Sequence, residues 1–273
     1  MAAKVALITG ASAGIGRACA DRLAAAGWIV VGASRRGTAG EGWSGIVMDV
    51  DDDRSVEEGV TQVVARQGRI DALIAAAGWG LAGSVECTPI DEAKAQIETN
   101  FWGAVRAVQR VLPTMRAQRR GRLVLVSSIG GIVALPFQGY YSASKFALEG
   151  LAEALAYEVA PFGVDVTLVE PGNISTDFTA NRRTAKTPDN NAYGDALDKA
   201  IALMERDEAN GPPPTTVAAA VEKVLTSRRP PRRISVGKAD ERIGLLAKRL
   251  LPFRLFEAAA RSSLGVESHR SSP

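Results

Sequence analysis

A phenol and an ammonium four residues apart, Tyr141 and Lys145, follow a hydroxyl at Ser128 in the stretch SIGGIVALPFQGYYSASK. Such a set can move a proton. A helical pattern begins at the tyrosine, and an i, i+4 spacing places both side chains on one helix face. A free phenol titrates near 10 and transfers protons poorly at neutral pH, whereas a fixed cation nearby favours the phenolate. Ser128 closes the apolar run Leu123-Val124-Leu125-Val126, so its hydroxyl sits at a strand end, within reach of a substrate oxygen. Tyr140 is adjacent, but only Tyr141 has the lysine at +4 and the serine at −13. YxxxK alone is common in helices, so its meaning depends on what positions it.

The positioning elements begin at the N-terminus. Residues 4–9 (KVALIT) read as a short buried strand, GASAGIG follows at once, and 17–26 read as a helix closed by Gly27. Glycines at a strand-to-helix turn let the backbone approach a pyrophosphate seated on the free N–H groups of the helix N-terminus. The spacing is TGxxxGxG, different from the general GxGxxG dinucleotide fingerprint. Together, TGxxxGxG, Asn100, Ser128 and YxxxK at 141–145, in this order, resemble the short-chain dehydrogenase/reductase family. The resemblance extends to about residue 237. The segments WGLAG and FWGAVRAVQRVLP look like its hydroxysteroid and retinol dehydrogenase branch, which hints at an apolar ketone or aldehyde.

Composition agrees with one large α/β domain. Length alone, 273 residues, would admit two, and 46% hydrophobic content suits a globular chain. No basic region followed by an apolar stretch precedes the first strand, and no apolar run reaches membrane-spanning length. Cys19 and Cys87 fit no metal spacing and no disulfide framework, which points to a reducing, cytoplasmic setting. The one histidine, His269, lies in a polar tail, so a histidine triad or zinc site is not expected. A net charge of +3 is too small to imply nucleic acid.

The second strand, 28–33, runs into Ser34-Arg35-Arg36-Gly37. An acid here would bind the adenosine ribose hydroxyls, whereas arginine accommodates a 2′-phosphate through charge-assisted, bidentate contacts. No acid occurs between Val31 and Gly40, so NADP is the expected cofactor. A third strand at 46–48 leads to Asp49-Val50, and the acids 51–53 start the next helix. The fourth strand, 71–75, ends in AAAG, where the family usually has asparagine before Ala-Gly. Ala75 and Ala76 carry no side-chain amide to tie this loop to the first strand, while Ala77 and Gly78 still permit close packing on a cofactor. A helix is expected over 88–111 with Asn100 inside it, an unfavourable place for asparagine. Strands follow at 121–127, 164–169 and 233–237, with a helix at 215–226. The polar stretch 178–214 should be a lid over the substrate, with a helix near 194–208. From 240 to 256, apolar residues at helical spacing accompany Arg242, Lys248, Arg249 and Arg254, and Pro252 should split the segment into two short helices. Residues after Leu264 read as disordered.

These elements predict a Rossmann-type, doubly wound α/β fold with a seven-stranded parallel sheet and the site at the strand C-termini. The expected organisation is a catalytic domain over 1–237, its lid at about 173–214, and a helical extension over 238–273. The resemblance implies that Tyr141 gives a proton to the carbonyl oxygen, which Ser128 holds. Lys145 lowers the tyrosine pKa, toward roughly 7–8 with an oxidised nicotinamide alongside, and binds the nicotinamide ribose. Asn100 anchors a water that connects the site to a proton source. Gly10, Ser12, Gly14, Ile15 and Gly16 hold the diphosphate, and Asp49 with Val50 holds the adenine. Ala76, Ala77 and Gly78 pack on the cofactor. Pro171, Gly172 and Ile174 face the carboxamide, and Thr176 the diphosphate. The resemblance also implies a homodimer or homotetramer using the helix that follows Tyr141. A non-catalytic NADP-binding regulator is the alternative, but it would be expected to lose the tyrosine or lysine kept here. The basic amphipathic tail closes the pocket, covers a neighbouring subunit or touches an anionic membrane surface.

Overall fold

The computed structural model of the chain describes residues 3–186 and 192–263. Seven parallel strands form the central sheet: β1 (Val5–Thr9), β2 (Ile29–Ser34), β3 (Ser44–Val47), β4 (Ala72–Ala75), β6 (Gly121–Val126), β7 (Val164–Pro171) and β9 (Arg233–Val236). Two short strands, β5 (Leu81–Ala82) and β8 (Arg183–Thr184), pair separately. The helices are α1 (Gly14–Ala25), α2 (Asp53–Gln67), α3 (Ile90–Ile97), α4 (Gly103–Gln118), α5 (Gly139–Val159), α6 (Gly194–Ala209), α7 (Pro214–Thr226), α8 (Ala239–Leu250) and α9 (Phe253–Ser263).

The sheet order is β3-β2-β1-β4-β6-β7-β9, the predicted doubly wound arrangement. Strand side chains alternate between faces. Val5 and Leu7 enter one core with the inner faces of α2, α4 and α5, while Ala6 and Ile8 enter the other with α1 and α7. Both faces are therefore buried, as the near-continuous apolar strands require. The winding reverses between β1 and β4, and a crevice opens beyond their C-terminal ends.

Helix ends follow local chemistry. Asp52 caps α2 by accepting from the Ser55 N–H at 2.6 Å, and Gly68 closes it at φ 68°. The acidic run 51–53 thus does start this helix. The expected continuous helix over 88–111 is instead α3, a π-helical turn (Glu98–Trp102) and α4. The β5–β8 pair was not legible, because two-residue strands carry no periodicity. The lid helix forms as α6, and Pro252 separates α8 from α9. The tail after Leu264, including His269, lies outside the described residues.

Candidate active site

The turn between β1 and α1 is built for close approach. Gly10 has φ +71°, and a β-carbon there would lie 2.8 Å from Ala77 Cα. One on Gly16 would lie 2.4 Å from the Gly10 carbonyl oxygen. Bare backbone lets the start of α1 face a cavity of about 990 Å³ at the crevice. Gly10, Ser12, Gly14, Ile15, Gly16, Arg35, Arg36, Asp49, Val50, Ala76, Ala77 and Gly78 line it. So do Ser128, Tyr141, Lys145, Pro171, Gly172, Ile174 and Thr176. Asn100 is the one expected site residue that does not line it. An elongated anion fits this cradle: glycine turn and helix N-terminus at the middle, Arg35 and Arg36 at one end, the acid–base residues at the other. Both arginines are exposed and make no side-chain hydrogen bond or ion pair among the described residues. Asp49 lines the same end, and its carboxylate accepts from the Asp51 N–H at 3.1 Å.

The loop after β4 is tied to β1 after all. The buried Thr9 hydroxyl accepts from the Ala76 and Ala77 backbone N–H groups at 3.1 and 3.2 Å. The expectation of no link counted side-chain amides, but the backbone supplies the donors. Asn100 sits in the π-helical turn, where its side chain is committed. Its amide oxygen accepts from Trp79 N–H (3.0 Å), and its nitrogen donates to the Trp79 carbonyl (3.0 Å) and the Ser144 hydroxyl (3.2 Å). It clamps the loop after β4 to α5, a use that no local pattern reveals.

At the catalytic end, Ser128 accepts from Gly130 N–H at 3.0 Å and hydrogen-bonds Tyr141. The Lys145 ammonium donates to the Val126 carbonyl at 2.9 Å and lies 5.9 Å from the Tyr141 ring centroid. Burial pushes the Tyr141 phenol up to about 12, against the lowering hydrogen bond from Ser128, and the Glu208 carboxylate raises it further. Burial likewise pulls Lys145 down to about 8. The fall toward 7–8 expected with an oxidised nicotinamide alongside is absent from the protein by itself, where desolvation outweighs the Ser128 hydrogen bond.

The lid contributes charges the sequence did not disclose. Arg182, 3% exposed in its side chain, pairs with Glu208 on α6, whose other oxygen takes the Thr179 hydroxyl. Glu208, Phe178, Leu203 and Met204 line the cavity, and the Phe178 ring meets Tyr141 edge-on at 5.9 Å. The β5–β8 pair and the Arg183 guanidinium, 4.4 Å over the Trp79 ring, hold the lid segment against the loop after β4. From α8, Glu241 accepts from Asn173 and Lys238 N–H groups, both at 2.8 Å, and so pins the 171–174 segment.

A profile of the short chain dehydrogenase family matches residues 4–187. The chain is 41% identical over 263 residues to a 3-ketodihydrosphingosine reductase of Bacteroides thetaiotaomicron, covering 96% of this chain and 98% of that protein. It is 39% identical over 195 residues to human 17-beta-hydroxysteroid dehydrogenase type 1, covering 65% of this chain and 59% of that one. A solved short-chain dehydrogenase from Streptomyces avermitilis superposes with a TM-score of 0.81 at 34% identity, over 96% of this chain and 98% of that one.

Proposed function

The chain belongs to the short chain dehydrogenase family, and from that premise we propose an NADP(H)-dependent oxidoreductase acting on the carbonyl, or the matching secondary alcohol, of an apolar compound. The observation that carries this reading is one cavity lined by the glycine turn, the unpaired Arg35 and Arg36, and the Ser128–Tyr141–Lys145 set.

The bound nicotinamide would supply or accept the hydride. Gly10, Ser12, Gly14, Ile15 and Gly16 would cradle the diphosphate with Thr176 opposite, and Arg35 and Arg36 would take the 2′-phosphate. Asp49 and Val50 would hold the adenine, and Ala76, Ala77 and Gly78 would pack beneath. Pro171, Gly172 and Ile174 would meet the carboxamide. In reduction, Ser128 holds the substrate oxygen and Tyr141 delivers its proton to it. Lys145 binds the ribose and stabilises the tyrosinate left behind, so the ordinary resting state at neutral pH is the protonated acid that reduction needs. With its side-chain nitrogen engaged, Asn100 would serve a proton relay through a carbonyl oxygen.

Val133, Leu135, Phe178, Leu203, Met204 and Phe256 give the substrate end an apolar lining. With the likeness to a 3-ketodihydrosphingosine reductase, this supports a long-chain ketone, and 3-ketodihydrosphingosine is the first compound to test. The chain works as a domain over 1–237 with an extension over 238–273 whose helices α8 and α9 complete the pocket, in the cytoplasm, as a homodimer or homotetramer. The test is oxidation of NADPH and NADH with a carbonyl panel containing that ketone. NADPH should be preferred, and Arg35→Asp should weaken NADPH by roughly tenfold or more while sparing NADH, the worth of one charge-assisted phosphate contact. Equal kinetics with both cofactors would overturn the NADP assignment.

A further inference from the structure

We infer that the outer face of α8 and α9 docks on an anionic lipid bilayer, beside the mouth of the substrate cleft. The two helices carry apolar residues on both sides, not only on the side that faces the protein. Their inner sides, at Gly244, Leu245, Ala247, Phe256 and Ala260, line the cavity. The outer stripe of α8 is Leu246 and Leu250, with Ile243 at its border, where it also lines the cavity; the three are spaced i, i+3, i+7 from Ile243, and the stripe continues into Phe253 and Leu255. All five are more than half exposed, a run of large apolar side chains with no protein covering it among the described residues.

The charges around this stripe identify the occupant. Arg242 and Arg249, i and i+7 on α8, border it along one side, and Arg254 follows at the start of α9. None of the three makes an ion pair among the described residues. Lys248, by contrast, points inward, donating to the Ile132 carbonyl and lying 5.2 Å from the Phe146 ring centroid. An apolar ridge edged by unpaired guanidinium groups matches a surface of acyl chains beneath anionic head groups. A second copy of this chain would have to place carboxylates against those same arginines, whereas a phosphate-rich interface supplies anions everywhere. Because the reverse side of the same helices lines the cleft, docking would set the cleft mouth at the bilayer surface. There a long-chain ketone could pass inward without crossing water, a consequence that rests on the substrate reading above, whereas docking itself does not.

The experiment is co-sedimentation of the full chain with vesicles of phosphatidylcholine alone and of phosphatidylcholine mixed with phosphatidylglycerol. The wild type should sediment with the mixed vesicles and much less with the neutral ones, and high salt should reduce binding. The double variant Leu246→Ser/Leu250→Ser and the charge variant Arg249→Glu/Arg254→Glu should each lose roughly tenfold or more in partitioning. Both should keep NADPH oxidation with a short water-soluble ketone, which shows that they fold. Equal sedimentation of wild type and variants, or equal binding to both vesicle types, overturns the proposal. So does a wild type that ignores vesicles and whose oligomer dissociates in the Leu246→Ser/Leu250→Ser variant, since the face is then a subunit interface. Vesicle binding is read without turnover, so this failure is distinct from failure of the reductase reading.

Discussion

At the scale of single residues, burial governs the acid–base pair. Tyr141 is held near 12 and Lys145 near 8, so between these values the phenol keeps its proton while the lysine loses its own. Reduction needs the protonated phenol, and Tyr141 satisfies that across the neutral range. The alkaline limb of kcat/KM for NADPH, which reports the free enzyme, should therefore lie near pH 8 and belong to Lys145. Above it the ribose loses a cationic partner. Lys145→Met should leave a low, flat profile, and a limb that survived this change but vanished with His269→Ala would refute the assignment. Tyr141→Phe should cost on the order of 10²–10⁴ in turnover, the worth of a placed general acid, with NADPH affinity little changed. Tyr140, whose hydroxyl donates to the Val85 carbonyl at 3.3 Å and to no other group among the described residues, should tolerate Phe. Loss of activity in Tyr140→Phe, with Tyr141→Phe active, would move the whole site by one register.

At the scale of elements, the N-terminal ends of the sheet's central strands are locked by one carboxylate. Asp71, 4% exposed, accepts from Val5 N–H at 2.9 Å, from Arg69 at 2.6 and 2.8 Å and from Arg120 at 3.1 Å. It thereby fixes the start of β1 against β4 and the end of α4. Burial alone would raise its pKa, but the Arg69 hydrogen bond, the Val5 N–H and the two guanidinium charges hold it below the usual 3.8. Asp71→Asn should destabilise the fold by about 3 kcal/mol, since it strands buried donors, and denaturant midpoints at neutral pH would show it. The sign follows from the depressed folded pKa. The stabilisation is complete above the unfolded value near 3.8 and disappears as pH falls through the lower folded value. The gap between wild type and variant should therefore close in strong acid; a gap independent of pH would mean that packing, not charge, is at work.

At the scale of the whole molecule, the site is assembled from both ends of the chain. Glu241 on α8 reaches the segment after β7, and a β-carbon on Gly172 would collide with its carboxylate at 2.1 Å. No helix among the described residues is long and apolar enough to cross a membrane. Tyr157 stands exposed on α5, the helix the family resemblance marks for subunit contact, and Trp102 stands exposed at the end of the π-helical turn before α4. If that face buries against a second copy, light scattering should give a dimer or tetramer, and Tyr157→Glu should shift it toward monomer. A monomeric wild type would remove this helix from the account.

The short-range chemistry was legible in the sequence. TGxxxGxG, the Tyr141/Lys145 spacing and Arg35-Arg36 at a strand end depend on neighbours a few residues away, and strand or helix periodicity fixes where such neighbours point. Seven short apolar strands, most of them separated by helices, likewise carried the sheet. What tertiary structure decided lies across long separations. Thr9 meets Ala76 67 residues on, and Glu241 meets Asn173 across 68. Asn100 is drawn into a π-helical turn by Trp79 and Ser144 rather than by its own segment. The upward shift of Tyr141 in the protein by itself has the same long-range origin. A lysine four residues away can be read from spacing, but desolvation and the Glu208 field exist only once the lid has folded over the ring.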